Sequence, residues 1–388
     1  MSEFLLNEVC ELIVDCPHTT ANDEGKGFPL VRTPNIGKGR LVYDGMHRVC
    51  EDVYNKRNAR AIPQENDLIF AREATAGNVA LIQKGEKVCL GQRTVLIRPN
   101  QEKVNPAFLT YFLLAPKQQY NLLSTANGAT VAHVNLPTIR NLKIDLPELP
   151  TQHRIASILS RYDSLIENYQ KQIKLLEEAA QRLYKEWFVD FRFPGHENTT
   201  IIDGVPEGWE KKRLVDMVDV QYGYAFDGKL FNSNGEGVPI LRIRNIPDGI
   251  TSDYTTEEAP KSYIVHNGDI VVGMDGIFHI NSWSGGDAYL VQRACSFRPK
   301  IEDVKGFIFQ AIQEPIKFFE QTLVGATVAH LGKKHIDSIE FCVSKNFELY
   351  QPFSKFYNQR QGLLSQIRLL TEARDRLLPK LMSGEIEV

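Results

Sequence analysis

The sequence predicts a mixed α/β (α+β) fold laid out twice: two globular units held apart by an antiparallel pair of long helices, with an internal pseudo-twofold repeat. Three observations predict it. Self-similarity of long period runs through the chain, two stretches poor in Gly and Pro carry a helical apolar seam, and a Gly/Pro-containing polar segment separates the copies. The divisions that follow are a first unit at 1–150, a long helix at 151–188, a linker at 189–208, a second unit at 209–348, and a second long helix with its tail at 349–388.

Five ordered matches establish the repeat. PLVRTPNI at 29–36 answers PILRIRNI at 239–246, and NDLIFAR at 66–72 answers GDIVVGM at 268–274. Gln92-Arg93 and Gln292-Arg293 each lead into a strand ending in Arg-Pro. GATVAH recurs at 128–133 and 325–330, and LLEEAAQRL at 175–183 answers LLTEARDRL at 369–377. The offsets fall steadily from 210 to 194, as loop-length differences within a duplicated unit require. Each unit opens with short strands and Gly, Asn and Asp turns, passes through a helical part (106–123 and 307–323), returns as a strand and ends in a long helix.

The first long helix, Thr151 to Phe188, contains no Gly or Pro. Ile158, Tyr162, Leu165, Tyr169, Leu176, Ala179 and Leu183 form its expected seam, widened by Ile155, Ile166, Ile173, Ala180 and Trp187. Pro150 precedes it and Thr151 is the expected N-cap. The second helix, from Gln351, offers Phe356, Leu363, Leu370 and Leu377 to that seam. An intramolecular antiparallel pair is favoured over pairing between two chains. Between the copies, residues 189–210 hold Phe191 and Trp209, aromatic anchors that tie the linker down.

At 388 residues, with 43% hydrophobic and 24% charged, the chain has enough apolar sequence for more than one core and is not a disordered polymer. Acidic residues stand where a secretory signal would be basic, and no window approaches 18 apolar residues, so a cytoplasmic location is expected. The six cysteines lack zinc-knuckle spacing and read as free thiols. The net charge of −3 excludes a uniformly basic nucleic-acid binder, although residues 30–100 hold 12 Lys and Arg against 7 Asp and Glu.

Catalytic patterns are missing: no GxxxxGK[ST], HExxH, GxSxG or GxGxxG, and no Asn/Asp-Pro-Pro-aromatic signature of an amino-group methyltransferase. Nor is there metal-ligand spacing among the histidines. The features that remain suit DNA binding. Arg32, Arg242 and Arg244 stand at expected strand starts beside Asn35 and Asn245, and Arg and Asn are the side chains that pair bidentately with guanine and adenine edges. The framework reading of Arg32 and Arg242 is favoured over base contact, since both copies keep them; Arg93 and Arg293 carry the same two readings. Arg72, in a loop that differs between the copies, is expected to serve one unit alone. In the GATVAH segments, Thr130 and Thr327 with His133 and His330 can face a phosphate or simply begin the returning strand. Lys333 suits a phosphate contact or a solvated pair with Lys334.

The junction EWFVDFRFPGHE followed by GVPEGWE, and the ending RDRLLPKLMSGEIEV, resemble the specificity subunits of type I restriction-modification systems over essentially the whole chain. The resemblance implies two target-recognition domains, each reading one half of a split double-stranded DNA target, and a non-catalytic chain. It also implies partners: two modification (methyltransferase) subunits docked on the helices and restriction subunits that translocate and cut. S-adenosylmethionine, ATP and Mg would reside in those partners, with no cofactor or metal on this chain. The outward helix face, including Arg161, Lys171, Lys174, Glu178 and Lys185, is the expected docking surface. The rival reading is a coiled-coil scaffold or regulatory protein with two ligand-binding heads.

Overall fold

The computed structural model describes residues 2–124, 133–323 and 329–388. The chain forms two compact units, one of residues 1–166 with 370–388, the other of residues 167–369. Both boundaries fall inside the long helices, because each helix contributes one half to each unit.

In the first unit, β1 (Ser2–Leu5) pairs with β9 (Lys143–Leu146). β2 (Cys10–Asp15), β8 (Thr94–Pro99), β5 (Leu68–Ala71) and β6 (Val79–Leu81) form an antiparallel sheet in the order β2-β8-β5-β6. A smaller sheet joins β4 (His47–Val49), β3 (Phe28–Val31) and β7 (Cys89–Leu90), the β3–β7 contact being parallel. Every residue of β5 is buried, which explains its uninterrupted apolar run. Leu68 and Phe70 face α2 (Pro106–Leu114) in one core, while Ile69 and Ala71 face Val31, Ile36 and Leu90 in another. Asn105 caps α2, its Oδ1 accepting from Phe108 N–H at 2.9 Å.

The second unit repeats the main sheet in the same order, β13 (Val218–Tyr222), β21 (Ala294–Pro299), β18 (Ile270–Gly273) and β19 (Ile280–Ser282). β12 (Trp209–Arg213) on β22 (Glu340–Ser344) repeats β1 on β9. Its second sheet differs, with five strands ordered β14 (Phe231–Asn232), β16 (Tyr254–Thr255), β15 (Val238–Leu241), β20 (Ala288–Leu290) and β17 (Ile264–Val265). The duplicated scaffold therefore diverges where residues 38–62 and 247–265 lie.

The long helix α5 spans Leu149–Tyr184 and passes into a π-turn at Lys185–Val189; α10 spans Gln351–Ser383. Helix α5 starts earlier than the sequence suggests, placing Pro150 within the first turn, where its missing N–H costs nothing. The two helices pack antiparallel within each unit. In the first, Asp163 meets Arg374 at 2.7 Å and Ile155 shares a core with Leu381. In the second, Glu177 meets Arg360 at 2.6 Å and Tyr184 packs on Phe353. The buried row of α5 is Ile155, Leu159, Ile166, Ile173 and Ala180, while Tyr162, Tyr169, Leu176 and Leu183 flank it half-buried and Leu165 is exposed. The expected seam was thus the flank; the true centre ends in Ala180, whose small side chain admits close helix approach. Phe191 and Phe193 both pack on Trp209, anchoring the linker as its aromatics suggested.

Candidate nucleic-acid interface

Three chain segments meet at the end of β5 in the first unit. Arg72 N–H donates to Arg93 carbonyl at 2.9 Å, and Val134 N–H donates to Arg72 carbonyl at 3.0 Å. The second unit reproduces both bonds, Met274 N–H to Arg293 carbonyl at 2.8 Å and Leu331 N–H to Met274 carbonyl at 2.7 Å. This backbone frame brings an acid, an arginine and a histidine together twice. Glu73 takes Arg93 Nε at 2.9 Å and His133 Nδ1 at 2.6 Å; Asp275 takes Arg293 Nη1 at 2.7 Å and His330 Nδ1 at 2.5 Å.

The carboxylates sit low and the arginines reach out. Glu73 and Asp275 side chains are 18% and 16% exposed, those of Arg93 and Arg293 59% and 68%. Both arginines adopt left-handed backbone, φ +64° and +72°. That conformation costs an L-residue about 1–2 kcal/mol, whereas an exposed ion pair returns about 0–1 kcal/mol. As a stability device the exposed pair does not repay its backbone.

Beneath this shared cluster the units differ. Arg72 is buried and spent within the fold: Nε donates to Val134 carbonyl at 2.9 Å, Nη1 to Asp15 at 2.8 Å and Nη2 to His133 Nε2 at 2.8 Å. An arginine only donates, so His133 Nε2 accepts and its Nδ1 carries the hydrogen toward Glu73. Arg72 is scaffold rather than reading surface, a correction to the sequence expectation. The second unit places Met274 at this position and Tyr222 where Asp15 stands, both in its apolar core.

Arg32 and Arg93, 61 positions apart, line one cavity of about 260 Å³ together with Arg57, Gln92, Thr20 and Thr33. Arg57 is fixed there by carbonyls of Leu90, Thr19 and Pro17 at 2.5, 2.9 and 3.4 Å. Arg32 donates to Gly45 carbonyl at 2.9 Å, while its Nε is buried without a partner. In the second unit Arg242 lies over the Phe231 ring at 5.2 Å, and Tyr224 packs on Phe226 and Tyr263. The first unit's pocket is rich in arginine, whereas the rings about Arg242 pack against an apolar cluster.

Asn35 and Asn245 belong to the frame. Each accepts the N–H of the arginine three residues earlier, at 3.2 and 2.9 Å, closing a 3-10 turn. Asn35 is buried and its amide donates to Val42 carbonyl at 3.1 Å, so no part of it is available to a base edge. Arg244 forms a two-pronged pair with Asp253 at 3.0 and 2.5 Å. Burial pushes the Asp253 carboxyl up, but the bonds from Arg244 and Asn245 outweigh it and hold it below the ordinary range. Lys333 opens a short helix, Lys333–Asp337, and is exposed. Thr130 and Thr327 lie outside the described residues. Arg161, Lys171, Lys174, Glu178 and Lys185 are all exposed on α5 or its π-turn, Lys171 paired with Glu167 and Lys185 with Asp190.

Fold and site define a two-headed binding protein built on one duplicated scaffold. A match to the family described as type I restriction modification DNA specificity domain covers residues 1–178 and 206–344, and the chain belongs to that family. It is therefore a non-catalytic DNA-specificity subunit, and the coiled-coil scaffold reading falls away. Similar curated proteins include the type I restriction enzyme MjaIX specificity subunit of Methanocaldococcus jannaschii, 25% identical over 94% of this chain and 88% of that one. The MjaVIII specificity subunit of the same organism is 30% identical over 69% of this chain and 64% of its own length. Among solved structures, the type I S subunit of M. genitalium shares the fold with a TM-score of 0.55 at 16% identity, covering 98% of this chain and 95% of that one. Among the described residues no helix is long and apolar enough to cross a membrane.

Proposed function

We propose that each unit reads one half of a bipartite double-stranded DNA target, and that the α5–α10 pair sets the unread spacer between the halves. The observation that carries this reading is the repetition of one sheet and one acid–arginine–histidine cluster alongside second sheets that differ. A common scaffold with divergent loops suits two related tasks on two different sequences.

In this reading the exposed face of α5, with Arg161, Lys171, Lys174, Glu178 and Lys185, docks two modification subunits, and restriction subunits join the assembly. The partners hold S-adenosylmethionine, ATP and Mg, and the partner's pocket takes the flipped adenine. The work is done in the cytoplasm, where the DNA is. Modified-base sequencing of a host genome with and without this chain gives both half-sites and the spacer together. Adding one turn to both α5 and α10 is expected to lengthen the accepted spacer with both half-sites unchanged; an unchanged spacer would overturn the ruler.

A further inference from the structure

We infer that Arg93 and Arg293, each held by its acid and histidine, are a matched pair of clamps on the DNA phosphodiester backbone, blind to sequence. The inference rests on the proposed reading of one half-site by each unit and assigns the shared cluster its chemical partner. Two heads that read different bases share only one thing in their ligands, the sugar-phosphate backbone. The clusters are shared by the heads, whereas the side chains around the matched Arg32 and Arg242 are not alike: Arg57 lines the pocket with Arg32, and the Phe231 ring lies under Arg242.

The geometry suits an anion. Glu73 engages Arg93 through Nε, and the Arg93 side chain is 59% exposed. Asp275 engages Arg293 through Nη1 and leaves Nη2. A forked guanidinium with its outer edge in water matches a phosphate's paired oxygens. The left-handed backbone at both positions points the same way, since asparagine or glycine would sit there with less strain and yet both copies carry arginine.

The test uses the full chain with Arg93→Asn and Arg293→Asn, singly and together, because asparagine tolerates the left-handed conformation and preserves the fold. Binding to a random-sequence duplex is measured across salt concentration, and each protein is also used to select from a randomised duplex library. Each single variant is expected to weaken binding to all sequences by one common factor and to lower the slope of log affinity against log salt by about 1, the double variant by about 2. The selected motif stays unchanged, and Arg93→Lys and Arg293→Lys keep the wild-type slope. A motif relaxed at one half-site would make the arginine a base reader, and an unchanged slope would make it framework; either overturns the clamp. If the wild-type chain selects no bipartite motif, the half-site reading fails, while the salt slopes on random duplex still decide the clamp.

Discussion

The two units hold one backbone frame in place with opposite chemistry. In the first, the position beneath the cluster is an arginine bonded to Asp15, His133 and a carbonyl; in the second it is a methionine in apolar packing, with a tyrosine in place of the aspartate. The hydrogen bonds from that position to the arginine of the cluster are nevertheless the same, 2.9 and 2.8 Å. The polar network of the first unit leaves Asp15 Oδ1 buried without a partner, so the two supports hold the same frame at unequal cost, and the polar one is the more fragile to single changes. The helix contacts differ likewise: Asp163 with Arg374 and Tyr111 in one unit, Arg360 with Glu177 and Asn281 in the other.

The largest effect expected is from Arg374→Ala. It leaves Asp163, 8% exposed, bonded only to Tyr111, and breaking such a pair costs about 3–5 kcal/mol. All three tryptophans, Trp187, Trp209 and Trp283, lie in the second unit. Denaturant unfolding followed by circular dichroism should therefore shift, while tryptophan fluorescence moves little; a shared shift would mean the units unfold together.

Next comes Arg72→Met, which copies the second unit into the first. Alone it leaves Asp15 paired only with the exposed His18 and takes the arginine donor from the Val134 carbonyl, at a cost of about 1–3 kcal/mol. Adding Asp15→Tyr should recover part of that loss, as read by the unfolding midpoint. A double variant less stable than the single one would show that the two supports do not interchange.

The smallest contrast is between Asn35→Ala and Asn245→Ala. Both remove the side chain that closes the 3-10 turn, but Asn35 is buried and Asn245 half-buried. The first should lose about 1–2 kcal/mol and the second less, measured in the same unfolding experiment.

Much of this arrangement was legible in the sequence. Matches such as GATVAH and the paired Gln-Arg marked the duplication, and unbroken helical spacing placed both long helices to within a few residues. The carboxylates at the heart of the cluster were not, because Glu73 and Asp275 differ in type and sit where the copies diverge. Their signal was present: each follows the last residue of the matched NDLIFAR and GDIVVGM segments. Arg72 was misjudged because burial of an arginine depends on Asp15 and His133, which lie 57 and 61 positions away. The phase of the α5 seam was missed for a related reason, since the units as well as the partner helix cover its faces.

The first unit is assembled from both ends of the chain. Residues 370–388 complete it, and Leu377, Leu381, Ile386 and Val388 join the core begun by Leu6 and Val9. On the ribosome residues 370–388 emerge after residues 167–369, so the second unit has its whole sequence available before the first can close. Until then its apolar face stands open, and the unit must wait for a contact between residues as far apart in sequence as Leu6 and Leu381, the kind of closure that slows folding.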